Sequence, residues 1–131
     1  VLADPEDNAF CVIEPGNRFL AGCGRLGEVA CDGSRDVGVF WRDALGWPLV
    51  WDHDEETAVQ SPHGGTKVAW GGRPPAWGDL PSRQRFELVA QDLDAEVERL
   101  IALGASELGG GGARVELADP DGTEFWVCPD R

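Results

Sequence analysis

The sequence predicts an α+β domain built from two tandem βαβββ units, with eight strands and two helices in the complete module. Three observations predict it. Residues 2–12 (Leu-Ala-Asp-Pro-Glu-Asp-Asn-Ala-Phe-Cys-Val) align without a gap on residues 117–127 (Leu-Ala-Asp-Pro-Asp-Gly-Thr-Glu-Phe-Trp-Val), and each copy reads as strand, tight turn, strand. A short strand candidate followed by a capped amphipathic helix and a closing glycine occurs twice. Three strand signals separated by turns follow each helix.

The elements follow in chain order. Residues 1–22 read as the closing hairpin and linker of a preceding, truncated module, because a repeat 115 residues apart is no solenoid period. The absence of Met, including at position 1, agrees with a chain cut from something longer. Residues 23–131 form the complete module, with units at about 24–71 and 84–130. In the first unit, Leu26–Asp32 is a strand candidate. Ser34 then caps a helix with Val37, Phe40, Trp41, Ala44 and Leu45 on one face, closed by Gly46 with Pro48 beyond. Strand signals follow at Leu49–Trp51, Thr57–Gln60 and Thr66–Trp70. In the second unit Phe86–Ala90 is the strand, and Asp92 or Asp94 caps a helix carrying Val97, Leu100, Ile101 and Leu103 up to Gly104. Ala105–Leu108, Ala113–Ala118 and Glu124–Cys128 complete it. Residues 71–83 are a Pro/Gly linker in which Trp77 is the aromatic most suited to a partner contact. The Gly109–Gly112 run reads as a loop, and it lacks the Lys-Ser/Thr of a phosphate-binding loop.

Composition removes several functions. Eleven Lys and Arg against 24 Asp and Glu give a formal net charge of −13, a field that repels nucleic-acid phosphates and anionic membranes. No window approaches a membrane span. Cys11, Cys23, Cys31 and Cys128 show neither zinc spacing nor a CxxC pair, so they are expected as reduced thiols of a cytoplasmic protein. No serine stands in a G-x-S-x-G elbow. His53, in an acidic turn, and His63, in Ser-Pro-His-Gly-Gly, read as solvated loop residues.

The Asp32-Gly33-Ser34 helix start, the Phe40-Trp41-x-x-Ala44-Leu45-Gly46-Trp47 helix and the Asp119-Pro120-Asp121-Gly122-Thr123-Glu124-Phe125 hairpin carry a resemblance. From about Gly24 to Asp130 the chain resembles the glyoxalase / bleomycin-resistance / extradiol-dioxygenase superfamily of vicinal oxygen chelate proteins, most of all its bacterial glyoxalase-like branch. The resemblance implies that the two units form an eight-stranded cup around a ligand cavity, often in a dimer. It also implies metal ligands on the first strand of each unit and on the closing strand. Carried over by position, these fall on Arg25, Arg85 and Trp126, with Glu124 two residues before Trp126 on the same strand face. Guanidiniums stay protonated and repel a divalent ion, so no metal or other cofactor is expected.

What remains is a set of cup candidates: Arg25, Arg85, Glu124, Trp47, Trp70 and Trp126. An arginine pair suits a carboxylate or phosphate, unless Glu124, Glu87 or Glu116 answers it in an ion pair. Aromatic walls suit a planar ligand. The expectation is therefore a metal-free module that binds a small aromatic or anionic molecule. The rival readings are a metal-dependent lyase, isomerase or dioxygenase using a divalent metal, and a structural domain whose cup is filled by its own Trp side chains. A homodimer is expected as well, with the apolar N-terminal strand (Phe10, Val12, Ile13) pairing against a second chain or this module's own sheet edge.

Overall fold

Ser34 and Asp92 start the two helices as their chemistry dictates. Each has extended backbone and a side-chain oxygen that accepts a backbone N–H one turn on, from Val37 (3.3 Å) and Ala95 (3.1 Å). Helix α1 (Arg35–Leu45) ends where Gly46 turns left-handed at φ 65°, and α2 (Leu93–Leu103) ends at Gly104. The computed structural model describes residues 1–72 and 84–131; all but the first two residues of the expected linker, Trp77 included, lie outside them.

Around the helices run β1 (Leu2–Ala3), β2 (Ala9–Phe10), β3 (Glu28–Asp32), β4 (Leu49–His53), β5 (Glu56–Val59), β6 (Lys67–Gly71), β7 (Glu87–Ala90), β8 (Ser106–Gly111), β9 (Arg114–Ala118) and β10 (Glu124–Pro129). Each unit makes one four-stranded sheet of identical topology. The order is β3-β6-β5-β4 in the first and β7-β10-β9-β8 in the second, with the first strand parallel to the last and the others antiparallel. The two βαβββ units expected from the sequence are thus present.

One expectation is corrected. The Gly109–Gly112 run is mostly strand: Gly109 to Gly111 pair with Glu116 to Arg114, after a register shift between Glu107 and Gly109. A Cβ on Gly110 would stand 2.7 Å from the Arg114 carbonyl oxygen, so glycine here permits close backbone approach. The N-terminal hairpin forms a separate two-stranded sheet; among the described residues it pairs with neither sheet edge of the module.

The core joins both units. Trp41 of α1 stacks on Trp70 of β6 (centroids 6.1 Å apart, planes at 4°) and meets Phe86 and Phe125 of the second unit edge-on at 5.3 and 4.8 Å. Val59, Leu100, Leu117 and Val127 are fully buried around it. Each such side chain contributes roughly 1.5–3 kcal/mol by leaving water. Polar contacts cross the same seam. Asp121, in the β9–β10 turn, accepts bonds from the Ser34 N–H (2.6 Å) and hydroxyl (2.8 Å), adding a carboxylate to the positive end of α1. Arg99 of α2 donates to the last carbonyls of α1, Asp43 (3.2 Å) and Ala44 (2.7 Å). The buried Asp119 carboxylate takes the Trp41 indole N–H at 3.3 Å and two turn amides; burial raises its pKa, and those bonds hold the rise in check.

Candidate functional site

Strand alternation sends Val29, Cys31, Val68, Trp70, Thr57 and Val59 to one face of the first sheet, and Glu28, Ala30, Asp32, Lys67, Ala69, Gly71, Glu56 and Ala58 to the other. The former group belongs to the helix side: the Thr57 side chain lies against Gly38 of α1, and Trp70 stacks on Trp41. On the opposite face, register sets Ala30, Ala69, Ala58 and Trp51 in a row across four strands. Ala30 and Ala69, small and side by side, leave a hollow. It forms a cleft of about 590 Å3, lined on this face by Ala30, Ala69 and Gly71, by the aromatic rings of Phe19 and Trp51, and by Glu28, Asp32 and Glu56.

The walls are aromatic and acidic. Phe19 meets Trp51 edge-on at 5.7 Å, and Trp51 keeps 43% of its surface exposed. Glu56 lies over Gly71, where a Cβ would come within 3.1 Å of its side chain. Asp32 stands beside Gly72. Among the described residues, Glu28, Asp32 and Glu56 have no ion-pair partner within 4 Å. The pKa of Glu28 is raised, first by burial and then by the neighbouring Glu56, against the opposing pull of Lys67. Lys67 itself donates to the Phe19 carbonyl and sits over the Phe19 ring, 4.3 Å from its centre. The Cys31 thiol is pushed up to about 12 by burial and nearby carboxylates, so it is no nucleophile.

The second sheet has the opposite relief. Its open face carries Trp126 in the middle, between Glu87 and Glu116 in register. The Arg114 guanidinium lies 3.5 Å from the indole centre and that of Arg85 4.9 Å, while Arg114 pairs with Glu116 (3.3 Å) and Arg85 with Glu124 (2.9 Å). The indole and its guanidiniums occupy the place where the first sheet is hollow.

Of the six residues singled out from the sequence, Trp70 lines the cleft, although its ring is core. Trp47 is half-buried against the core. Arg85, Glu124 and Trp126 come together on the second sheet. Arg25 is exposed in the segment before β3, and the structure brings it to neither group. The offset misplaced it: Asp32 ends a strand, and the residue equivalent to the helix-capping Asp92 is Ser34. Glu28, Ala30 and Asp32 are the first-strand residues that face the cleft. The alternation Glu-x-Ala-x-Asp in β3, beside Lys-x-Ala-x-Gly in β6, was the signal for them. Among the described residues no group of three or more His, Cys, Asp and Glu is placed to hold a metal ion. Among the same residues no helix is long and apolar enough to cross a membrane.

Two paired βαβββ units with a ligand-sized cleft on one sheet define the class: an α+β module of the glyoxalase, bleomycin-resistance and dioxygenase type. The chain belongs to the glyoxalase-like domain family, whose model matches residues 28–128. None of the curated proteins matches it. Among solved structures it is similar to a glyoxalase-related enzyme from Fulvimarina pelagi (20% identity, 79% of this chain and 86% of that one, TM-score 0.60). It is similar also to TnmS3, an antibiotic binding protein from Streptomyces sp. CB03234 (20% identity, 79% and 93%, TM-score 0.57). A third is a glyoxalase/bleomycin resistance protein/dioxygenase family enzyme from Burkholderia phytofirmans PsJN (13% identity, 79% and 97%, TM-score 0.62). At such identities the likeness is one of fold.

Proposed function

We propose that this module captures a small aromatic molecule bearing a positive charge in the first-sheet cleft, without a metal and without turnover. The observation that carries the reading is the cleft itself: a hollow of about 590 Å3 beside the paired rings of Phe19 and Trp51, rimmed by Glu28, Asp32 and Glu56. Flat rings offer stacking area and a cation–π face, and the unpaired carboxylates favour an ammonium over a carboxylate. The sequence left an aromatic or an anionic ligand open. The aromatic part is kept, but the anionic part rested on arginines, and Arg85 is answered by Glu124 while Arg25 stands outside the cleft. The antibiotic-binding neighbour is consistent with stoichiometric capture on this fold. Four free thiols suit a reducing compartment such as the cytoplasm.

Trp51 reports on occupancy. Its fluorescence is titrated with three probes of one shape: a benzyl-type ammonium, its neutral alcohol and its carboxylate. The ammonium is expected to bind best and the carboxylate worst. In Glu28→Gln/Glu56→Gln the ammonium should lose roughly tenfold in affinity while the alcohol is unchanged. Equal affinity for all three probes, or preference for the carboxylate, refutes the charge assignment. A stoichiometric divalent ion in native mass spectra at neutral pH refutes the metal-free reading.

A further inference from the structure

The N-terminal hairpin repeats the β9–β10 hairpin bond for bond. Asp4 N–H to the Asn8 carbonyl (3.0 Å) matches Asp119 N–H to the Thr123 carbonyl (2.9 Å), and Asp7 N–H to the Asp4 carbonyl (3.0 Å) matches Gly122 N–H to the Asp119 carbonyl (2.8 Å). The Asp4 carboxylate accepts the Glu6 and Asn8 amides, both at 2.9 Å; the Asp119 carboxylate accepts those of Asp121 and Thr123 at 3.1 and 3.0 Å. Asp7 even takes the left-handed backbone of Gly122, φ 64° against 87°. A non-glycine residue adopts that conformation at some cost, so the turn geometry is specified by more than loop convenience.

Burial separates the copies. Leu117, Phe125 and Val127 are 0, 1 and 0% exposed, whereas their counterparts Leu2, Phe10 and Val12 are 54, 46 and 76% exposed. The twin owes its burial to a seat made of α1 and β7. Asp121 binds the Ser34 end of the helix, the second oxygen of Asp119 takes the Trp41 indole, and β10 pairs with β7 over four residues. In the N-terminal copy the second oxygen of Asp4 takes the Asn8 side-chain amide instead (2.9 Å). β2 stops after two residues, and among the described residues no strand runs beside Val12 and Ile13.

We infer that residues 1–14 are the closing hairpin of a second glyoxalase-like module that precedes this one in the same polypeptide. They would dock through Glu6, the counterpart of Asp121, on a helix N-terminus, and through Leu2, Phe10 and Val12 on that helix's apolar flank. The occupant is not another copy of this module, because there the seat is already filled by β9–β10 with Leu117, Phe125 and Val127 buried. Chain order gives the direction: in the module resolved here the closing hairpin is the last element, so a closing hairpin lying before β3 ends a unit that comes earlier.

Amide hydrogen exchange on the 131-residue chain and on the polypeptide carrying its encoded upstream residues tests this. The amides of Phe10 to Ile13 should exchange at least ~100-fold more slowly in the longer polypeptide, whatever the protein concentration. Phe10→Ser and, as a milder change, Asp4→Asn should lower the melting temperature of the longer polypeptide and leave that of the 131-residue chain unchanged. The inference is overturned by equally fast exchange in both, by protection that appears in the 131-residue chain as its concentration rises (a second copy), by indifference of the longer polypeptide to both variants, or by a reading frame with no βα segment upstream.

Discussion

Gly38 is the point where helix, sheet and cleft meet, and Gly38→Ala tests that arrangement. A Cβ at position 38 would fall 1.8 Å from Thr57 Oγ1, 2.6 Å from its Cβ and 3.0 Å from its Cγ2. Carbon and oxygen need about 3.5 Å, so α1 and β5 must part by more than an ångström. β5 is an inner strand, hydrogen-bonded to β4 and β6, and it cannot yield alone. Overpacking of this kind costs about 1–3 kcal/mol, while alanine in a helix interior returns about 1 kcal/mol. The net expectation is a loss of up to about 2 kcal/mol, which is up to roughly 8 °C in melting temperature for a chain of this size. Thr57 and Glu56 both line the cleft, so affinity for the ammonium probe should fall as well. Thermal unfolding by circular dichroism, with Thr57→Ala and the double variant, closes the cycle. Thr57 Oγ1 is buried without a hydrogen-bond partner among the described residues, so Thr57→Ala removes an unsatisfied hydroxyl and gives the new methyl room. The double variant should recover about 1 kcal/mol of the loss. If Gly38→Ala melts above the parent, the close helix–sheet approach is not as described.

Two further outcomes follow. Asp121→Ala removes both acceptors of the Ser34 N–H and hydroxyl and an acid from the positive end of α1. It should cost about 1–2 kcal/mol in urea unfolding, and a change within 0.3 kcal/mol would show the inter-unit clamp to be idle. Glu28 gives a pH dependence. Its folded pKa is raised above the ordinary glutamate value of 4.5, so the folded state holds that proton more tightly than the unfolded chain. The carboxylate therefore costs nothing below 4.5, costs progressively more as pH rises to the raised value, and imposes a constant penalty above it. Glu28→Gln should gain stability over the parent across that interval, and capture of a cationic probe by the parent should weaken as pH falls through it. Parallel stability curves for parent and variant would refute the assignment.

Much of the architecture was legible because its signals are local. Ser34, Gly46, Asp92 and Gly104 bound the helices through bonds and backbone angles within one turn, and the Asp-Pro turns reappear as hairpins. Gly109–Gly111 was read as loop because glycine lacks strand propensity; pairing with β9 overrides that. The site was less legible. Arg25 stands away from the cleft because its place was counted from Asp32 rather than Ser34, and Arg85, Trp126 and Glu124 come together as a plug on the second sheet.

The sequence by itself determined the two βαβββ units, their helix limits and the duplicated hairpin, since capping, periodicity and turn chemistry act between residues a few positions apart. Only the tertiary structure decided where a ligand fits. Ala30 and Ala69 are 39 positions apart, and unremarkable one by one. Strand register sets them side by side and makes a hollow, while on the other sheet the same register sets Trp126 between two carboxylate-bearing strands under two guanidiniums and fills it. Register depends on which strands meet, and that is a property of the folded chain.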